Sequence, residues 1–338
     1  MKFFYLGLIL AATSPLCAEE KKAPAVSLTE QDDRLRIELN GELFTEYIFE
    51  REDGFFPAFY PVMGPGEVAM TRKFPFEEIE GEDTDHPHHQ SLWFAHSDVN
   101  GETFWAVKTY KDRTSGKERA PGHQVHQEFT EVVSGDDGGH FVAKNNYVGS
   151  DGEIVMTDTR TVRIPAVADE MASRIIDIEI AFHATNGEVV FGDEKDAGMA
   201  IRVASDLQAE RRTKDPKKMK AATGNLVNSE GITGVETWGK RARWVDSFGK
   251  VGGEAVGVAI MDHPGNPRYP TWWHSRTYGL ITANAFGQHF FEKLDDPDAG
   301  AFVLADGETA TFRWRFVFHR DDPKKADVEE EFLKFSKD

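Results

Sequence analysis

The chain reads as all-β: a large antiparallel β-sandwich with one short C-terminal helix. Three observations predict this. Runs with a two-residue apolar period recur from Arg34 to His319, the pattern of half-buried strands. Turns rich in Asn and Gly join them, and Asn-Gly between alternating runs is a strong hairpin signal. Strand and helix patterns do not alternate along the chain, which argues against a parallel α/β sheet.

Taken in order, residues 19–25 (EEKKAPA) are a short polar lead. Arg34–Leu39 (RLRIEL) alternates, Asn40-Gly41 supplies a turn, and Leu43–Phe49 (LFTEYIF) returns. Residues 50–82 are rich in Pro, Gly and Phe and show little period. Their Phe55-Phe56 and Phe59-Tyr60 either line a cleft or fill the core, the commoner fate of such rings. Lys111–Gly122 is polar and loop-like. From His126 a meander follows: HQEFTEVV, the turn GDDGG, HFVAKNNYV, the turn GSDG, then EIVMTDTRTVRI. Ser173–Ala184 alternates up to a second hairpin signal at Asn186-Gly187. Gln208–Ala222 reads as a solvated loop or short helix. Glu254–Met261, Gly279–Thr282, Ala301–Leu304 and the long Thr309–His319 read as further strands. Asp327–Lys337 is an amphipathic helix with Val328, Phe332, Leu333 and Phe335 on its apolar side. With no repeat and no linker, residues 19–338 are expected to form one domain.

Residues 1–18 fit an export signal: Lys2, an apolar stretch from Phe3 to Ala12, and small residues near Cys17-Ala18. The apolar run falls short of the roughly 20 residues that span a bilayer. An exported protein, periplasmic or extracellular, is expected. Beyond the signal, 38 basic face 58 acidic side chains, a balance that repels nucleic acid and anionic membrane surfaces. The only cysteine, Cys17, lies in the signal, so the mature chain offers no disulfide and no thiol chemistry. Phosphate loops, dinucleotide fingerprints and the GxSxG elbow are also missing from the sequence.

Chemistry concentrates between Asp83 and Trp105, which holds His86, His88, His89 and His96 beside Asp83, Asp85, Asp98, Glu102, Trp93 and Trp105. On a strand, His86 and His88 would share one face and His89 would take the other, with His96 returning after a turn. Imidazoles so placed suit a divalent metal held by His86, His88 and His96. Metal-free, they suit proton transfer, because imidazole titrates near working pH. A second stretch, Trp272–Asn284, places His274, Arg276 and Tyr278 on one strand face beside Trp272 and Trp273. Gly192–Arg202 carries Asp193, Glu194, Lys195, Asp196 and Arg202, and reads either as binding charge or as a solvated turn. Asn225–Asp246 adds Asn228, Glu230, Trp238, Lys240 and Trp244 on what reads as a long loop.

Four motifs together resemble a bacterial family of often exported proteins, the DUF6807 family. They are DHPHHQSLWFAHSDVNG-x3-W (residues 85–105), GDEKDAGMAIRV (192–203), NSEGITGVETWGKRARWVD (228–246) and DHPGNPRYPTWWHSRTYGLITANAFG (262–287). The chain departs from the family pattern at Gln90, where Arg is usual, and at Asp196, where Glu is usual. The family also carries the label methane oxygenase PmoA-like. That activity does not fit, since the methane oxygenase is an integral membrane assembly and this chain has no spanning segment beyond its signal. The resemblance implies a sandwich similar to the galactose mutarotase-like supersandwich of carbohydrate-active enzymes.

Residues and resemblance together predict an exported carbohydrate-active enzyme of epimerase, lyase or hydrolase type, acting on a sugar or oxidised sugar. His88, His89, His274 and Glu230 are the expected proton-transfer groups. Lys195, Arg202, Arg276, Tyr278 and Asn284 are expected to hold hydroxyls, with rings stacked on Trp93 or Trp273. Two other classes stay open: a non-catalytic carbohydrate-binding protein, and a metal-dependent oxygenase or hydrolase.

Overall fold

Asn40 and Gly41 both take positive φ (52° and 88°), the pairing a tight two-residue hairpin needs. Arg34–Leu39 therefore folds back on Glu42–Ile48, as its alternation predicts. The computed structural model describes Met1 and residues 23–338, apart from 53, 112–115, 117 and 213–218. Most of the expected signal segment, residues 2–22, lies outside the described residues.

Two eight-stranded antiparallel sheets stack on a shared apolar core. The first runs, in spatial order, Val26–Glu30, Arg34–Leu39, Glu42–Ile48, Ala58–Val62, Leu92–His96, Ala197–Arg202, Leu280–Asn284 and Trp272–Trp273. The second runs Asn225–Asn228, Trp244–Val251, Glu254–Asp262, Thr309–Arg320, Arg174–His183, Ile154–Pro165, Gly138–Val148 and His123–Val133. The expected meander is the last three strands of this sheet, paired in sequence. The amphipathic helix forms over Val328–Phe335 and buries Val328, Phe332 and Phe335 against Met261, Val317 and Trp244 on the outer face of the second sheet.

The fold differs from expectation in four places, the first being Asn186-Gly187, which makes no hairpin because Val189–Phe191 does not pair with Arg174–His183. Ala58–Val62 is a strand inside the first sheet, although Pro61 and the run of aromatics hide its period. Phe302–Leu304 joins Val189–Phe191 in a separate two-stranded ladder rather than either large sheet. Within the stretch read as loop or helix, Glu210–Arg212 pairs with Met219–Ala221. No helix among the described residues is long and apolar enough to cross a membrane.

A histidine-lined hollow on the outer face of the first sheet

The three central strands of the first sheet sort their side chains by alternation. Leu92, Phe94, Met199, Ile201, Ile281 and Ala283 point into the core between the sheets. Trp93, Ala95, Ala200 and Leu280 point outward, where Phe56, Trp105 and Tyr278 cover them as a second apolar cluster. Gly198 keeps this centre tight. Its φ is +108°, and a Cβ there would sit 2.0 Å from the carbonyl oxygen of Ala283. Only glycine allows the Ala197–Arg202 strand to approach Leu280–Asn284 so closely.

Residues 71–91 form the wall above this cluster, and one side chain organises it. Arg72 is fully buried, and its guanidinium donates to the carbonyls of Phe74, Asp83, Asp85, His86 and His89. It also donates to Asp85 Oδ1 at 2.7 Å, and Arg202, equally buried, reaches the same oxygen at 3.1 Å. Burying two cations is costly unless each has acceptors, and here one carboxylate and five carbonyls supply them. Burial lowers the pKa of Arg202 to about 10, with Arg72 adding to the effect. Burial alone would raise Asp85, but its contact with His86 and the two guanidiniums hold it well below the usual carboxylate range.

The histidines sit on a turn, not on the strand proposed from their spacing. His86 takes φ +47°, and His89 N donates to His86 O at 2.9 Å. A turn brings positions i and i+3 to one side, so His86 stacks on His89 (4.6 Å, 4°) and His88 stands perpendicular to both. The stack continues to Tyr278 beyond His86 and to Trp93 beneath His89. His89 is buried, and its Nδ1 lies 3.3 Å from Arg202 Nη1. A guanidinium can only donate, so Nδ1 accepts and the ring proton is on Nε2. His88 is half-buried at the rim beside Trp105. Burial, aided by His86, lowers its pKa to about 4.

The second stretch meets this wall through Asp196. His274 lies on the chain returning from the Trp272–Trp273 strand, bonded on both sides to Thr282. Its Nδ1 is 2.7 Å from the carbonyl of Lys195 and 3.5 Å from Asp196 Oδ1. A carbonyl can only accept, so Nδ1 carries the proton and Nε2 presents a lone pair. Burial lowers His274 to about 4; Asp196 opposes that shift, while Lys195 and Arg276 add to it. Asp196 also raises His88. Burial would raise Asp196 itself, but His274, Lys195 and His88 together lower it. Lys195 donates to Asp196 Oδ2. One ionised carboxylate thus links an ammonium group to imidazoles from segments far apart in the chain.

The other expected site residues divide. Arg276 is exposed above Tyr278, and Lys195 stays accessible at the rim. Asn284 is fully buried: its amide donates to the carbonyls of Glu194 and Lys195, and its oxygen accepts from Phe286 N. It holds the segment carrying Lys195 and Asp196, and its full burial keeps it from a ligand. Arg202 and Tyr278 are buried and serve as floor. Trp273 is no stacking platform, since it points into the inter-sheet core and donates to Ala242 O. Trp93 lies beneath His89 with 1% of its surface exposed.

Two expected roles are corrected. Glu230 faces no imidazole; it pairs with Ser229 and Arg243 at an exposed position near the C-terminal helix. His96 lies on the core face of its strand against Phe191 and Phe286, opposite in alternation to Trp93, so His86, His88 and His96 form no ligand set. Among the described residues no three His, Cys, Asp or Glu side chains converge to hold a metal. The sequence gives no sign of Arg72, a lone arginine in an unpatterned segment, and it offers Asp196 and Trp238 only as members of a charge run and of a long loop. The half-buried Trp238 lies edge-on to His274 (6.4 Å), and its indole N–H is buried without a partner.

Fold and site define an antiparallel β-sandwich with a hollow of histidines, acids and cations on the outer face of one sheet. The chain belongs to the family of unknown function DUF6807, whose model matches residues 34–333. That match carries no methane-oxygenase assignment. No curated protein matches the chain. Among solved structures it is similar to an Escherichia coli K12 putative aldose 1-epimerase (10% identity, TM-score 0.36, 87% of this chain and 99% of that one). It is similar also to a galactose mutarotase related enzyme from Lactobacillus acidophilus (10% identity, TM-score 0.34, 88% and 98%). A polysaccharide lyase matches at 11% identity and TM-score 0.33 over 94% of this chain, which spans only 35% of that protein.

Proposed function

We propose that this chain is an exported carbohydrate-active enzyme that moves a proton on a bound sugar. The observation that supports the reading is the contact of Asp196 with both Lys195 and His274, with its charge also acting on His88. His274 Nε2 is the base: it takes a proton from a hydroxyl or from a carbon next to a carbonyl, and Asp196 steadies the imidazolium that forms. The Lys195 ammonium returns a proton to the substrate oxygen that gains charge, leaving Lys195 neutral until exchange with solvent resets both groups. His88, neutral above about pH 4 and half-buried beside Trp105, is the second proton-transfer group. Arg276, exposed above Tyr278, binds hydroxyls, and the half-buried Trp238 ring supplies the stacking face that Trp93 and Trp273 do not.

Turnover of a panel of aldoses, ketoses and sugar acids tests this. His274→Ala is expected to lower kcat by about a hundredfold or more, the usual contribution of a general base. A panel on which purified wild-type protein turns nothing over, or on which His274→Ala matches wild type, would overturn the reading. Tight sugar binding without conversion would instead favour a non-catalytic carbohydrate-binding protein.

A further inference from the structure

The two sheets are pinned together at one pair of edges and splayed apart beyond it. Val26 and Gly135 exchange both backbone hydrogen bonds (3.0 and 3.1 Å), and Leu28 N donates to Ser134 Oγ. These contacts join the edge strand Val26–Glu30 of the first sheet to the turn that ends the edge strand His123–Val133 of the second. Toward Glu30 and His123 the edges separate, and a groove of about 870 Å³ opens between them.

The groove has two kinds of lining. Phe49, His126 and Phe129 form one aromatic group, with centroids 4.4 to 5.3 Å apart. The exposed ring of His123 is a second platform, backed by Phe55 stacked behind it (4.7 Å, 19°). Around these rings stand the carboxylates Glu30, Asp32, Glu50 and Glu128 and the amides Gln31 and Gln127. Side chains beside the groove pack toward the aromatic cluster of the first sheet. Phe55 packs on the cluster of Trp93 and Trp105. Arg51, which lines the groove, lies over Phe76 at 4.4 Å, and Phe76 packs on the same cluster.

We infer that this groove is a binding subsite for a neutral oligosaccharide. The inference rests on the proposed function and adds the substrate class: a chain of uncharged sugars rather than a free monosaccharide. Flat rings stack on the apolar faces of pyranoses, while carboxylates and amides accept and donate to hydroxyls. Glu30, Asp32 and Glu50, with Glu128 paired to Lys144, outnumber Arg51 and disfavour polyuronates by repulsion. The protein's formal charge of −19 reinforces that repulsion.

The experiment is calorimetric titration of the full chain with neutral gluco-, xylo- and manno-oligosaccharides from monomer to hexamer, and with oligogalacturonates. Affinity is expected to rise with length for one neutral series and to stay low for the oligogalacturonates. In Phe55→Ala and in His123→Ala, hexamer affinity is expected to fall about tenfold, the scale of one lost aromatic contact. His123 is exposed, so its variant gives an answer even where Phe55→Ala fails to fold. Length-independent affinity, a preference for oligogalacturonates, or an unchanged His123→Ala would each overturn the subsite. If His274→Ala abolishes turnover while affinity ignores length, the subsite falls and the proposed function stands. If neutral oligosaccharides bind with the expected length dependence but no sugar is turned over, the subsite stands and the catalytic reading falls.

Discussion

At the residue scale the hollow depends on how three side chains fix each other's protons. His274 is committed to one tautomer by the Lys195 carbonyl, and that carbonyl is held in turn by the amide of Asn284. Asn284→Leu removes the second contact while keeping the size, so the segment carrying Lys195 and Asp196 should drift. We expect kcat on any converted sugar to fall about tenfold or more, since misplacement by an ångström is costly in catalysis. A steady-state comparison alongside the melting temperature separates this from a loss of folded protein. Because His274 and His88 are held to about 4, the base is already deprotonated at neutral pH. The acid limb of kcat/KM is therefore expected near pH 4, well below the ordinary imidazole value of 6.5. A limb near 6.5 would assign the proton transfer to other groups.

At the element scale the wall over residues 71–91 is held by a single guanidinium rather than by a ladder of backbone bonds. Arg72→Lys keeps the charge but cannot reach five carbonyls and a carboxylate with one compact ammonium. We expect it to loosen the wall, raising amide exchange at His86–Ser91 while the second sheet stays protected. Asp85→Ala is the harsher change, because it leaves Arg72 and Arg202 buried without their shared carboxylate. A loss of about 3–5 kcal/mol by urea denaturation is expected, the usual cost of breaking a buried ion pair from one side. The histidines of this wall were legible in the sequence, but the arginine that ties it together was not. Strands announce themselves by alternation, and Arg34–Leu39, Arg174–His183 and Thr309–Arg320 form where the period places them. A turn stabilised by one distant arginine has no period to read. The same gap explains the misplaced faces of His86, His88 and His89, since a two-residue rule was applied to a three-residue turn.

At the scale of the whole molecule, the dense His-bearing stretch and its partner around His274 were legible because polar aromatics cluster there against an otherwise apolar alternation. The carboxylate that joins them was not. Asp196 sits in a run of four charges, and only the packing of Ala197–Arg202 between its neighbours decides which of the four turns to the hollow. His96, on the core side of Leu92–His96, shows the converse: residues close in sequence were separated by strand parity. The buried imidazoles also set the response of the fold to acid. His88 and His274 are lowered to about 4 and His96 to about 3. Between pH 6.5 and 4 the unfolded chain therefore binds more protons than the folded one, and stability falls as the pH drops through that window. Each such ring contributes a slope of up to ~1.4 kcal/mol per pH unit. His319, raised by Asp246, and Asp262, raised by burial to about 7, work in the opposite sense and offset part of this. Urea midpoints at pH 7 and pH 5 should differ accordingly, and equal midpoints would contradict the neutral burial of these rings.

The most direct test of the shared hollow is ring-nitrogen NMR of the histidines in wild type and in Asp196→Asn. The account predicts a neutral His274 with its proton on Nδ1 down to about pH 4, and signals of both His274 and His88 that move when Asp196 loses its charge. An Nε2-protonated His274, a midpoint near 6.5, or a response confined to one of the two rings would contradict it.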